Sequence, residues 1–251
     1  MKKILSIFLI GIFIISLIEI YYLISYYSKN ESLQLGNINS NNLFKVTPIE
    51  NIDENKIAFK YLSEGMFNID ISNNEIIANE AEYIIIGKVK SIDGVVNYNP
   101  SSNHYVMART VGNIDVLQVL KGNIKETEIP FIRLGGTLPI SEFEKSLYDE
   151  QITKMNLDEM TQEEKENTYV SEGTNGDIKI EKDKIYLMYL NYSKDYERYN
   201  IRFMEYGLRE ILVEENLNTV NVFNSNQYNA IKVKNNKTGE YESLNSIIPQ
   251  K

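Results

Sequence analysis

Arg133-Leu-Gly-Gly136 is the stretch whose residue types and spacing come nearest to a binding chemistry. A guanidinium beside two glycines at a strand end can hold a carboxylate, with backbone N–H groups free to assist. The plainer alternative is that Gly135 and Gly136 only permit a tight turn, while Arg133 faces outward from its strand. A second candidate surface is the tyrosine group Tyr189, Tyr192, Tyr196, Tyr199 and Tyr206. Each ring buries apolar area while keeping a polar tip, which suits contact with protein or sugar; strands of small barrels use the same residues for packing. Arg133, Gly135, Gly136, Tyr189 and Tyr199 are therefore the candidate binding residues.

Catalytic chemistry has little to draw on. Cysteine is absent, which removes thiol nucleophiles, disulfides, Cys-ligated zinc and a lipid-modified N-terminal Cys. Histidine occurs once, at His104 beside a polar loop, and reads as a surface residue at a strand end. A zinc site would need an all-carboxylate set, which suits zinc poorly. A Ser-His-Asp triad would have to recruit His104, and no Gly-x-Ser-x-Gly elbow presents a serine. Glycoside hydrolysis needs two acids at a defined separation, and among 35 acidic residues chance pairs carry no information. No loop has the EF-hand spacing. The expectation is a protein without catalytic residues, metal or cofactor. Net charge is −9 with no run of Lys or Arg, so electrostatic capture of nucleic acid is disfavoured.

The elements that would position these residues read mostly as strands. Asn74 to Ala81 has an Asx residue before an acidic first turn and predicts a short helix. Tyr83 to Ile92 predicts a strand, apolar on both faces in its first half, with Asp93-Gly94 as a turn. Along Tyr105 to Leu120 the apolar phase slips from Ile114 and Val116 to Leu117 and Val119. A one-residue slip predicts a β-bulge of the kind that bends strands where barrels close. Glu128 to Leu134 predicts the next strand. Ser141 to Glu144 and Thr161 to Glu164 match the capping-box spacing, which predicts a helical insertion at about 140–170. Phe143, Leu147, Ile152 and Met155 form its apolar stripe. Asp183 to Tyr192 predicts a strand, with Tyr199, Ile201 and Phe203 on an antiparallel partner. A short strand at Val220 to Phe223 precedes a hairpin around Asn235 to Gly239.

Ahead of these lies an apolar stretch. Ile4 to Tyr27 carries one charge, Glu19, and as a helix would extend about 36 Å, enough to cross a hydrocarbon core of ~30 Å. No convincing small-x-small cleavage site follows it, and the alternative to an anchor is a cleaved signal with an atypical site. Tyr21, Tyr22, Tyr26 and Tyr27 would sit at the far interface, and Lys2 and Lys3 favour a cytoplasmic N-terminus. The expected organisation is a transmembrane signal-anchor over 1–28, a tether over 29–56 rich in Asn and Ser, and an extracytoplasmic domain over 57–251.

The motifs Ala81-Glu-Tyr-Ile-Ile-Ile-Gly-Lys-Val89, Val116-Leu-Gln-Val-Leu-Lys-Gly122 and Asp183-Lys-Ile-Tyr-Leu-Met-Tyr-Leu190 resemble the strand framework of netrin-like and tissue-inhibitor-of-metalloprotease-like (TIMP-like) domains. The resemblance covers roughly residues 75 to 206. It implies a mostly β, OB-like barrel, here with a helical insertion. Those inhibitors chelate their target's zinc with an N-terminal Cys, which this chain lacks, so the resemblance implies the fold and not the inhibitory mechanism. The chain also resembles membrane-anchored envelope proteins of low-GC Gram-positive bacteria. The function expected is a non-catalytic module, held in the cell membrane by one span, whose partner is another envelope protein. The competing expectations are an inhibitor of an envelope enzyme, with a loop wedge near Asn97 to His104 and Gly135-Gly136, and a carboxylate-dependent envelope hydrolase.

Overall fold

The computed structural model describes residues 45–48, 52–212 and 231–248. All of them belong to the unit that runs from Phe44 to Lys251. The predicted anchor, most of the predicted tether and the strand expected at Val220 to Phe223 lie outside the described residues. Among the described residues, no helix is long and apolar enough to cross a membrane.

The first strand, β1 (Ile57–Ser63), is followed by the helix α1 (Asn74–Glu80). Asn73 caps that helix: its side-chain oxygen accepts from the N–H groups of Glu75 at 2.9 Å and Ile76 at 3.2 Å. β2 (Tyr83–Asn99) and β3 (His104–Lys121) form one long antiparallel hairpin, and β4 (Glu128–Leu134) pairs antiparallel with β3. The chain then leaves for β5 (Gly136–Pro139), the short helices α2 (Ile140–Phe143), α3 (Asp149–Lys154) and α4 (Gln162–Asn167), and β6 (Tyr169–Thr174). β7 (Ile185–Ser193) returns to the free edge of β2, and β8 (Arg198–Ile201) lies antiparallel to β7 and parallel to β4. The sheet thereby closes through β7-β2-β3-β4-β8 and back to β7, giving a mostly β protein with a partly closed, barrel-like sheet. After α5 (Met204–Gly207), β9 (Leu208–Leu212), β10 (Lys232–Lys234) and β11 (Tyr241–Ser243) extend the sheet beyond β7, and α6 (Leu244–Ile247) ends the described chain. β1, β6 and β5 form a separate three-stranded sheet.

Period-two alternation explains why β2 and β7 are apolar on both faces. Ile85, Val89, Tyr186, Met188 and Leu190 point into the closed sheet, with Ile114, Ile129, Phe131 and Ile201 opposite. Ile84, Ile86, Leu187 and Tyr189 point the other way, into a second core with Ile77 and Ala78 of α1 and Val233, Leu244 and Ile247 from the C-terminal elements. A third core joins Val95, Ala108, Leu138 and Val170 to the insertion, where Phe143 is buried and Leu147, Ile152 and Met155 pack against it.

Some expectations hold in the structure and others change. The slip at the end of β3 is a real bulge: Ile86 pairs with Gln118 and Gly87 with Val116, leaving Leu117 out of register. Asp93-Gly94 is no turn. β2 runs through it, and Gly94 sits at a register shift where Thr47 bridges Val95, so close that a Cβ would lie 2.3 Å from the Thr47 carbonyl oxygen. The box at Thr161 and Glu164 forms, but Ser141 lies inside α2, whose N-cap is Pro139. Phe203 is not in strand: β8 stops at Ile201, and Phe203 adopts φ 63 as the cap of α5, turning its ring onto Tyr189.

Candidate functional site

Arg133 lies near the end of β4 with its side chain turned inward and is 3% exposed. This corrects both the outward strand residue and the guanidinium open to an external carboxylate, because the carboxylate it holds is internal. Asp177 pairs with its Nη2, which also donates to the carbonyls of Ile178 at 3.3 Å and Met204 at 3.4 Å. Burial works against both charges, lowering the Arg133 guanidinium and raising the Asp177 carboxyl, and their mutual attraction offsets this only in part.

Gly135 and Gly136 carry the chain from the closed sheet to the three-stranded one. Gly135, at φ 92, donates its N–H to the Ala108 carbonyl at 2.8 Å, and its own carbonyl accepts from the Thr110 N–H and hydroxyl. A Cβ on Gly136 would meet Val95 at 2.7 Å. Both glycines are thus fixed against β3, β2 and β6, while the exposed Ser101 to His104 stretch lies at the tip of the β2–β3 hairpin.

The tyrosine group separates into different environments. Tyr189 is fully buried, its hydroxyl has no hydrogen-bond partner among the described residues, and burial pushes its phenol up to about 12. Its placement in the core corrects the expectation of a surface residue: position 189 falls on the β7 face that α1 covers. Tyr196 packs against Val96, Val111 and Ile132, with the Arg109 guanidinium 5.4 Å from its ring centre. Tyr206 packs at the edge of the α1 core.

Tyr192 and Tyr199 come together. They oppose each other across the β7–β8 pair, edge to face, with ring centres 5.3 Å apart and planes at 73°. On the other side of Tyr199 stands Tyr83, also at 5.3 Å and with planes at 79°. Tyr83 begins β2 in phase with inward-facing Ile85, and Tyr199 precedes inward-facing Ile201 by two positions, so the rings gather at one end of the closed sheet. Tyr192 remains 42% exposed. The frame beneath is fastened: Glu82 donates its N–H to the Asn191 side chain at 3.2 Å, and its carboxylate accepts from the Tyr192 N–H at 3.1 Å. Burial raises the Tyr199 phenol, with Tyr83 and the Glu126 carboxylate adding to it.

Sequence reasoning missed Tyr83, Glu82 and Glu126 as members of this end. The alternation of β2 places Tyr83 inward, but its proximity to Tyr199 depends on the return of β8 to β7, which no local pattern encodes. It also missed Glu172, whose buried carboxylate accepts from the Ala108 N–H at 2.8 Å and which burial pushes up to about 7. Comparison with protein-family models, curated proteins and solved structures finds no match to this chain.

Proposed function

We propose that this chain is a membrane-anchored, extracytoplasmic and non-catalytic binding module built on an OB-type barrel, with the Tyr83–Tyr199–Tyr192 end as its contact surface for another envelope protein. The observation that carries this reading is the cluster of three rings on rigid strands, packed edge to face, with one ring 42% exposed. Aromatic anchors held on a stiff frame bind at low cost in conformational entropy, and such residues dominate the energetics of protein contacts. The OB-type assignment is supported by the five-strand ring, in which β8 pairs parallel with β4 and antiparallel with β7. The non-catalytic reading is supported by the partners of two acids of low exposure, Asp177 with Arg133 and Glu172 with a backbone N–H; a third, Glu205, faces Lys237 at 3.8 Å. The anchor rests on Ile4 to Tyr27 and the basic Lys2-Lys3 start.

The test is affinity capture from solubilised envelope membranes with full-length wild type, Tyr192→Ala and Tyr148→Ala. Tyr148 is 82% exposed and serves as a tyrosine control on a different element. A partner held by wild type and by Tyr148→Ala but released by Tyr192→Ala is the expected result. Equal capture by all three would overturn the assignment of this end as the contact surface.

A further inference from the structure

The chain supplies its own cation to several aromatic rings. Arg109 stands over Tyr196 at 5.4 Å, Lys145 over Tyr105 at 5.6 Å, Arg202 over Phe203 at 5.0 Å and Lys237 over Tyr206 at 5.6 Å. Among the described residues, no lysine or arginine is placed over Tyr83, Tyr199 or Tyr192. Two carboxylates stand near these rings, and the cation closest to Tyr83 in the β2–β3 register, Lys121, is held on the carbonyls of Ala78, Asn79 and Ala81. Glu82 is hydrogen-bonded to the Tyr192 backbone, and Glu126 acts electrostatically on the Tyr199 phenol. Both acids are exposed. Lys125 neighbours Glu126 and donates its main-chain N–H to that carboxylate at 3.1 Å, but its ammonium is not over any of the rings.

The face of a phenol ring is the negative pole of its quadrupole and attracts a cation within about 6 Å. Three such ring faces, with the Glu82 carboxylate on the Tyr192 backbone and Glu126 acting on Tyr199, favour positive charge at this end. We infer that the Tyr83–Tyr199–Tyr192 end receives an alkylammonium group, the lysine terminus of a basic segment on a protein partner. The inference rests on the contact surface proposed above and adds the chemistry that surface selects. The partner's lysine occupies the place that Lys145, Lys237 or Arg109 takes over the other rings.

The experiment is an NMR titration of the protein, labelled at tyrosine, with the peptide acetyl-Gly-Lys-Gly-amide and with its norleucine counterpart of equal length and no charge. The lysine peptide is expected to shift the Tyr83, Tyr192 and Tyr199 ring signals saturably, about fivefold or more tightly than the norleucine peptide. Added salt weakens the binding. Tyr192→Ala abolishes the shifts, and Glu126→Gln, a change at an exposed position, reduces affinity with an unchanged far-UV circular dichroism spectrum. Equal binding of the two peptides, or no saturable shift at these rings, would overturn the inference. The two claims fail separately. Capture that depends on Tyr192 alongside equal peptide binding removes the cation and keeps the contact surface, whereas capture indifferent to Tyr192 removes the surface itself.

Discussion

Two buried side chains set this protein's response to pH and to mutation. Glu172 would titrate near 4.5 in an unfolded chain and is pushed up to about 7 by burial, with the Ala108 N–H pulling the other way. Between those values the folded protein keeps a proton that the unfolded chain has released, so this group lowers stability as pH rises from 4.5 to about 7. The full effect above that window is on the order of 3 kcal/mol. Urea denaturation of wild type and Glu172→Gln at pH 5 and pH 8 is expected to show the variant gaining relative to wild type at the higher pH, and parallel pH profiles would contradict the assignment. Arg133 behaves differently, because Asp177 depends on it. Arg133→Ala leaves that carboxylate buried without its counter-charge and is expected to cost about 3–5 kcal/mol. The double change Arg133→Met with Asp177→Leu is expected to recover much of that loss in thermal denaturation.

At the scale of elements, α1 is held at both ends by side chains. Asn73 caps its start, and the Lys121 ammonium at the end of β3 donates to the carbonyls of Ala78 at 2.7 Å, Asn79 at 3.0 Å and Ala81 at 2.6 Å. A cation on the last carbonyls of a helix satisfies acceptors that the helix leaves open and offsets its dipole. Lys121→Met keeps the length of the stem and removes the donors. It is expected to cost about 1.5–3 kcal/mol and to speed hydrogen exchange in α1; unchanged α1 protection would show that packing of Ile77 and Ala78 suffices alone. The start of α1 was legible to within one residue, since an Asx at Asn74 precedes the acidic turn and the structure uses Asn73 as the cap, whereas the C-terminal cap comes from forty or more residues away. The same division runs through the rest of the chain. The bulge at Leu117 showed as a change of hydrophobic phase, and the stripe of the insertion as a spacing. β1 did not stand out, because it pairs parallel with β6 across the whole insertion, and Arg133 was misplaced because its partner arrives from beyond β6. Polarity suggested an outward arginine; a distant aspartate turned it inward.

For the molecule as a whole, closure of the sheet is what converts separate tyrosines into one surface. Tyr83 lies at the start of β2, Tyr192 near the end of β7 and Tyr199 in β8, and only the return of β8 to β7 sets them side by side. The C-terminal strands extend the same sheet from the outer edge of β7 and are locked by Arg209, which bonds the Lys234 carbonyl at 3.0 Å and the Glu242 carboxylate at 2.9 Å. The tyrosine end therefore sits on a braced frame, the condition for a contact surface that binds without first ordering itself. The most direct measurement replaces Tyr192 with an aromatic photo-crosslinking amino acid, which keeps a ring at that position, in cells and does the same at Tyr148 as the control. One discrete protein adduct is expected from position 192, lost when Tyr199→Ala is added and absent from position 148. Adducts of the same pattern from both positions, or an adduct at 192 that survives Tyr199→Ala, would contradict the contact surface.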